Sequence, residues 1–201
     1  YYGWDFYYGD NNPMDYMGHG THVAGIVGAE GNNDIGIAGI TWDVQLMPLK
    51  VFSDDENEDP YFKDKDVINA IEYATNNGAD IINLSLGWLS NYNWEEYKLY
   101  SSEEYDAYYS ALNYAASNGV LIVSALGNET NNTEIYSSLP ADFSVEIPGM
   151  ISVAAINNKG DLSNFSNYGN LATIAAPGGQ VGEDNTQNIL STLQGDQYDY
   201  L

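Results

Sequence analysis

The chain has 201 residues, 44% of them hydrophobic, which is enough for one α/β domain with a real core. Its 29 acidic and 5 basic residues give a formal net charge of -24. This charge argues against binding of nucleic acid or an anionic membrane through a basic surface. The absence of cysteine excludes disulfides, thiolate metal sites and a thiol nucleophile. No apolar run approaches the length that spans a bilayer, so we expect no membrane insertion.

The first predicted helix is made of small residues and begins beside a histidine. Residues 1–17, rich in Asp, Asn, Tyr and Gly, predict an irregular loop, whose oxygens also suit a hard cation. The helix is predicted from Thr21 to Ala29, and His19 precedes it between two glycines. Free N–H groups and the helix dipole disfavour a protonated ring, so His19 suits a general base. Capping or packing of the helix is the alternative, and His22 is assigned a structural role.

A strand and a second helix are predicted next. The apolar run from Val44 to Phe52 predicts a strand, in which Pro48 favours an edge or a bulge. The charged segment from Ser53 to Asp66 predicts a surface loop. From Asp66 the apolar residues recur with a helical period, and the helix is predicted to stop at residues 76–78, Asn-Asn-Gly.

The remaining elements alternate between strand and helix. Residues 81–87 predict a strand buried on both faces, and Ser101 with Glu104 predicts a capping box that opens a helix ending at residues 118–119. Further strands are predicted at 120–126, 151–156 and 171–176. This alternation predicts an α/β fold with a mostly parallel sheet flanked by helices. Sites in such sheets lie beyond the carboxyl ends of the strands, where residues 85–87 and 127–128 fall.

Six short motifs occur in an order that resembles the subtilisin-like serine protease family, the subtilases. They are His-Gly-Thr-His-Val-Ala-Gly at 19–25, Asn-Leu-Ser-Leu-Gly at 83–87, Ala-Leu-Gly-Asn at 125–128, Phe-Ser-Asn-Tyr-Gly at 165–169, Ala-Pro-Gly at 176–178 and Ile-Leu-Ser-Thr at 189–192. The resemblance implies a three-layer, mostly parallel α/β fold and a serine-type endopeptidase that acts on polypeptides.

The resemblance also implies a role for individual residues. His19 is the general base of an Asp-His-Ser triad, and Asn128 donates its side-chain amide to the oxyanion of the tetrahedral intermediate. Two segments line the pocket for the residue before the scissile bond. Their residues are Ser85, Leu86 and Gly87 on one wall, and Ser124, Ala125, Leu126 and Gly127 on the other. Exposed backbone at 85–87 can pair with an extended peptide as an added strand.

Two structural calcium sites are implied as well. One resembles a site of thermitase-like members and matches at Asp5, Asp10 and Asn12, although Tyr8 stands where the family pattern has another Asp. The other resembles a loop in which an Asn side chain and backbone carbonyls hold the ion. Its residues here are Glu30, Asn33, Ile35 and Ile37.

Two motifs of the family are missing from the 201 residues. No Asp-Thr-Gly or Asp-Ser-Gly motif precedes His19, and no Gly-Thr-Ser-Met-Ala motif follows. We therefore expect residues 1–201 to be an incomplete catalytic domain, truncated at both ends and inactive alone. The expected parent is a secreted, calcium-dependent, monomeric serine endopeptidase, with extracellular location taken from the resemblance and the acidic, cysteine-free composition. The alternative is a non-catalytic subtilase-like domain used for binding or regulation.

Overall fold

The computed structural model describes residues 3–55, 57, 61–182, 188–195 and 197–200. The strands are β1 (Trp4–Asp5), β2 (Leu49–Lys50), β3 (Ile81–Leu84), β4 (Trp88–Leu89), β5 (Leu121–Ala125), β6 (Ser138–Leu139), β7 (Met150–Ile156), β8 (Ile174–Pro177), β9 (Leu190–Leu193) and β10 (Gln197–Tyr200). The helices are α1 (His19–Gly28), α2 (Asp64–Asn76), α3 (Trp94–Tyr100) and α4 (Ser102–Ser117), with a 3-10 helix at Ala141–Val145. The chain forms two compact units, Tyr1–Ala70 with Asn188–Leu201, and Ile71–Gln187.

The first unit is built around α1 and the antiparallel hairpin of β9 and β10. Strand β1 pairs in parallel with β2 over two residues each. The strand predicted from Val44 to Phe52 is therefore much shorter than expected, because β1 gives it only a two-residue partner. Gly25 of α1 faces the hairpin so closely that a Cβ there would collide with the hydroxyls of Ser191 and Thr192. Helix α1 thus needs its small residues for close packing.

The second unit contains a four-stranded parallel sheet in the order β3-β5-β7-β8. This arrangement confirms the predicted parallel α/β organisation. Burial along β3 alternates, with Ile82 and Leu84 buried and Ile81 61% exposed, so the prediction of a strand buried on both faces is wrong. Side chains of a strand point to opposite faces in turn, and the described residues cover only one face of β3.

Helix α4 buries Tyr108, Ala111, Leu112 and Ala115, but its predicted capping box does not form. The Ser101 side chain makes no capping bond, and Glu104 instead accepts a hydrogen bond of 3.1 Å from the Tyr97 hydroxyl. A capping box does open α3, where Asn93 and Glu96 bond each other's backbone N–H groups. Helix α3 was not predicted from the sequence, because its aromatic residues are ordered by tertiary packing.

Aromatic rings link α3 and α4 to the 3-10 helix. The Trp94 and Phe143 rings meet edge to face with centroids 5.0 Å apart, and Tyr105 stacks on Phe143 at 5.4 Å. The Glu146 carboxylate accepts hydrogen bonds from Trp94, Lys98 and Tyr105. These contacts give the second unit an aromatic core beside its sheet.

Helix α2 begins at Asp64, two positions before the expected start, and ends as predicted before Gly78, whose φ is 80°. Residues 56 and 58–60 of the predicted charged loop lie outside the described residues. Within the part of the chain that is described, no helix has both the length and the apolar character to cross a bilayer.

Candidate active site

Asp15 holds the mouth of α1. Its Oδ1 accepts the N–H groups of Met17 and Gly18 at 2.9 and 2.8 Å, and its Oδ2 accepts the N–H and hydroxyl of Thr21, both at 2.8 Å. Gly18, with φ 92°, offers no capping side chain, so Asp15 satisfies N–H groups that the helix leaves open. Partial burial raises the pKa of Asp15, but these hydrogen bonds outweigh it and hold that pKa below the ordinary value.

His19 lies exposed in the first turn of α1. Desolvation by surrounding protein lowers the pKa of His19 below its usual value, Asp15 opposes this shift, and His22 adds to it. Within the described residues the ring makes no hydrogen bond. A neutral and accessible imidazole is what a general base requires. The expected direction of the pKa shift is thus found, although its main cause is desolvation.

His22 has the opposite character. It is buried, and its Nε2 lies 3.0 Å from the carbonyl oxygen of Ile189 and 3.2 Å from that of Asp199. Carbonyl oxygens only accept, so Nε2 carries a proton that it donates to them. The Ser191 hydroxyl donates in turn to the His22 carbonyl at 2.7 Å. His22 therefore fastens α1 to the β9–β10 hairpin, in agreement with the structural role expected of it.

In the second unit, Ser85, Leu86 and Gly87 follow directly after β3. Ser85 and Leu86 are half-buried and Gly87 is exposed. A Cβ at Gly87 would collide with the carbonyl oxygen of Leu139, so glycine is needed there for close backbone packing. Among the described residues, the backbone groups of 85–87 make no hydrogen bond. They are available to an added strand, as the resemblance implies.

The other predicted pocket wall is only partly on the surface. Strand β5 lies beside β3 with Ser124 opposite Leu84, so both predicted walls lie at the same edge of the sheet. Ala125 is exposed and Gly127 half-buried, whereas Ser124 and Leu126 are fully buried. Side chains alternate between the two faces along a strand, so Ser124 and Leu126 both point into the protein interior.

Asn128 lies in the loop that follows β5. Gly127 before it has φ 106°, a conformation that favours glycine. The Asn128 side chain is exposed and makes no hydrogen bond within the described residues, while its backbone N–H donates to Glu129 Oε2 at 3.0 Å. The amide is thus free to donate to a ligand from an ordered backbone.

Asn167, to which sequence reasoning assigned no role, lies fully buried beneath this loop. Its Oδ1 accepts the N–H groups of Glu129 and Asn131, and its Nδ2 donates to the Leu126 carbonyl oxygen and to Glu129 Oε2. The only signal in the sequence is that Asn167 belongs to the Phe-Ser-Asn-Tyr-Gly motif at 165–169.

In the first candidate calcium site, Asp5 and Asp10 already have protein partners. Asp5 is buried, with Oδ2 2.9 Å from Lys50 Nζ and Oδ1 accepting the Tyr8 N–H at 3.0 Å. Asp10 Oδ1 accepts the N–H of Asn12 at 2.8 Å. Burial lowers the pKa of Lys50, but the nearby carboxylates outweigh it and raise that pKa. The Lys50 ammonium supplies the positive charge at Asp5, so the residues Asp5, Asp10 and Asn12 fit calcium poorly.

The second candidate calcium loop differs from the first in that no ammonium bonds its described residues, although Asn33 Oδ1 already accepts the Ile35 N–H at 3.0 Å. Asn32, Asp34 and Gly36 have φ of 58°, 58° and 55°, and they alternate with the predicted ligands Asn33, Ile35 and Ile37. Ile35 is 68% exposed, so its side chain does not hold the loop by packing. An Asn side chain and backbone carbonyls are the oxygen ligands that calcium accepts. Glu30 is exposed before this loop.

Comparison with known proteins identifies the class. The model of the subtilase family, Peptidase S8, matches residues 1–201, and the chain belongs to this family. It is 35% identical over 199 residues to the thermophilic serine proteinase of Bacillus sp. (strain AK1), covering 99% of this chain and 42% of that protein. It is 35% identical over 189 residues to the major intracellular serine protease of Bacillus subtilis (strain 168), covering 93% and 50%. The chain thus spans about half the length of these relatives.

A solved structure with a similar fold is the nisin leader peptidase from Lactococcus lactis. Its TM-score is 0.77 with 28% sequence identity, and the match covers 100% of this chain and 66% of that one. This likeness confirms the predicted three-layer α/β fold class with a mostly parallel sheet.

Proposed function

We propose that the protein carrying this chain is a serine-type endopeptidase in which His19 is the general base. The observation that carries the proposal is an exposed histidine with a lowered pKa at the mouth of α1, inside a chain that matches the subtilase family throughout. In the reaction, His19 Nε2 or Nδ1 takes the proton from a serine hydroxyl and later returns it to the leaving amine. The 201 residues contain no Gly-Thr-Ser-Met-Ala motif that would supply this serine.

Asn128 is proposed as a donor to the oxyanion. Its side-chain amide has no partner among the described residues, and hydrogen bonds to Glu129 and Asn167 hold the backbone of its loop. A preorganised donor of this kind stabilises the negative charge that develops on the carbonyl oxygen. The substrate is an extended polypeptide, which would pair with the free backbone of 85–87 as an added strand. Ala125 at the end of the neighbouring strand β5 supplies exposed surface, and Gly127 in the loop that follows is half-buried.

The experiment is a peptide-cleavage assay with a serine-directed inhibitor. We expect the full-length protein to cleave peptides and to lose activity with the inhibitor, because acyl transfer needs the serine. Residues 1–201 alone are expected to be inactive, since they contain neither the Asp nor the Gly-Thr-Ser motif. Inhibitor-sensitive cleavage by residues 1–201 would contradict the second expectation. A full-length protein that binds peptides without cleaving them would support the non-catalytic alternative.

Calcium at the loop containing Asn33, Ile35 and Ile37 is proposed as a structural ion. Binding to the folded state alone raises the melting temperature, so calcium is expected to raise Tm and a chelator to lower it. Asn33→Ala removes one ligand and should abolish most of this calcium-dependent shift. Asn12→Ala, in the loop where Lys50 already neutralises Asp5, is the matched control and should keep it. Loss of the shift in Asn12→Ala alone would assign the ion to the other loop.

Secretion and a monomeric state stay predictions from the family resemblance. One of the relatives is named an intracellular protease, so family membership does not by itself fix the location. Fractionation of the producing cells and size-exclusion chromatography test the two predictions separately.

A further inference from the structure

The loop after β5 has no regular structure of its own, yet it carries the proposed oxyanion donor. Between Leu126 and Asn131 the loop forms no helix or strand, and Asn128 at its centre is exposed. A side chain that stabilises a transition state must keep a defined position, because catalysis falls steeply when a donor is displaced. The support for Asn128 must therefore come from outside the loop.

One buried side chain, that of Asn167, bonds this loop on both sides of Asn128. Asn167 Oδ1 accepts the N–H of Asn131 at 2.8 Å and that of Glu129 at 3.1 Å. Asn167 Nδ2 donates to the carbonyl oxygen of Leu126 at 2.9 Å. Its backbone N–H donates to the carbonyl oxygen of Gly127 at 3.0 Å. One residue thus holds the loop both before and after Asn128.

A carboxylate extends this support to Asn128 itself. Glu129 Oε2 accepts from Asn167 Nδ2 at 2.6 Å and from the backbone N–H of Asn128 at 3.0 Å. The chain of contacts runs from the buried amide through the carboxylate to the backbone of the oxyanion donor. Gly127 completes the fit, since a Cβ there would collide with Asn167 Nδ2.

We propose that Asn167 is a positioning residue that fixes the loop 126–131, and through Glu129 the Asn128 amide, in its reactive geometry. The inference rests on the proposed function, because it concerns the donor of that reaction. Asn167 does not reach the substrate, and its effect on catalysis passes through Asn128. A side chain that merely fills a buried space would stabilise the fold without this coupling.

The test compares Asn167→Ala with Asn164→Ala in the full-length protein. Asn164 is the control because its side chain bonds the N–H and carbonyl of Val181, while the contact of Asn164 with the loop runs through its backbone carbonyl, which accepts the Thr130 hydroxyl and is kept in the alanine variant. We expect Asn167→Ala to lower kcat by about 10- to 100-fold and to change KM less than about 3-fold, because transition-state contacts are lost selectively. Asn164→Ala should change neither constant more than about 2-fold.

A double-mutant cycle separates positioning from general stability. In an Asn128→Ala background, Asn167→Ala should lower kcat less than about 3-fold, because the donor it positions is already absent. The same loss of kcat in both backgrounds, or a loss confined to KM, would overturn the inference.

Hydrogen exchange provides a readout that does not depend on activity. The amides of Glu129 and Asn131 donate to Asn167 Oδ1, so they should exchange at least about 10-fold faster in Asn167→Ala and at unchanged rates in Asn164→Ala. If the wild-type protein cleaves no peptide, the proposed function has failed, and these exchange rates alone decide whether Asn167 holds the loop. Unchanged exchange overturns the inference whatever the activity.

Asn167→Asp keeps the test decisive if the alanine variant does not fold. The aspartate retains Oδ1 for the two amides but places a carboxylate oxygen against the Leu126 carbonyl and the Glu129 carboxylate, where the amide group donated. We expect kcat to fall while the amides of Glu129 and Asn131 stay protected. Wild-type kcat in a folded Asn167→Asp protein would contradict the role of the Glu129 link.

Discussion

The N-terminus of α1 and the loop after β5 are both held in place by a second side chain, but by side chains of different origin. Each presents an exposed polar side chain, His19 or Asn128, on backbone that a second side chain holds in place. At the helix the support is Asp15, a near neighbour in the chain that bonds the next turn. At the loop it is Asn167, which comes from a distant part of the chain and is fully buried. Local support can be recognised in a sequence, whereas distant support requires the fold.

Asp15 and Asn167 also differ in how much stability their removal should cost. Asp15 is partly exposed and water can replace part of its bonding, so its loss should be mild. Asn167 is fully buried, and its removal takes away the acceptor of the Glu129 and Asn131 N–H groups. His19 and Asn128, to which we assign the chemistry by proposal, are themselves exposed, so their removal should lower activity and leave stability almost unchanged.

The largest expected effect is that of His19→Ala. Loss of the general base should lower kcat by about 10⁶-fold, as in the corresponding single substitution in subtilisin, with a change in unfolding free energy within about 0.5 kcal/mol. Peptide-cleavage kinetics and urea unfolding measure the two quantities. Loss of folding in this variant would show that His19 is a packing residue, the alternative considered from the sequence.

Asn128→Ala should have the next largest effect. Removal of an oxyanion donor costs about 10²–10³ in kcat in subtilisin. We expect KM to change little, because the donor acts on charge that develops only in the transition state. Steady-state kinetics with a peptide substrate test this, and Asn164→Ala provides the control. A change in KM alone would indicate that Asn128 contacts the substrate in the ground state and not the oxyanion.

His22→Ala tests whether the buried histidine of α1 is structural. The substitution removes the Nε2 hydrogen bonds to the carbonyl oxygens of Ile189 and Asp199, which fasten the helix to the hairpin, so we expect a loss of roughly 1–3 kcal/mol of stability. Urea unfolding of His22→Ala beside His19→Ala is the measurement. Equal stability of the two variants would contradict the assignment of a structural role to His22 and a chemical role to His19.

Asp15→Ala should give the smallest effect, in two observables. Loss of the contacts with the helix N–H groups should cost roughly 0.5–2 kcal/mol of stability. The Asp15 charge raises the pKa of His19, so its removal should lower that pKa further and shift the protonation of His19 to lower pH. NMR titration of the imidazole measures the shift. A higher pKa in Asp15→Ala would show that the hydrogen bonds of Asp15, rather than its charge, set the environment of His19.

The candidate site could be proposed from the sequence because its residues lie in contiguous motifs. His19 with its glycines, the segment 85–87 and Asn128 are each contained in a short run of sequence, and the parallel order of β3 and β5 brings two of them to one sheet edge. The supports could not be predicted in the same way. Asn167 reaches the loop only through the fold, and the Lys50 that neutralises Asp5 is likewise distant in the chain.

Two errors in the fold have a similar origin. The strand 81–87 was expected to be buried on both faces because its apolar run is continuous, yet Ile81 is exposed, since burial depends on what covers each face. The capping box expected at Ser101 and Glu104 fails because Glu104 bonds to Tyr97 from α3. Local pattern predicted the elements, and tertiary contacts decided their partners.

The most direct test of the central claim is labelling of the full-length protein with a fluorophosphonate, which reacts with a serine only when a general base activates it. We expect covalent labelling of the wild-type protein and none of a folded His19→Ala variant. Equal labelling of both proteins would contradict the assignment of His19 as the general base.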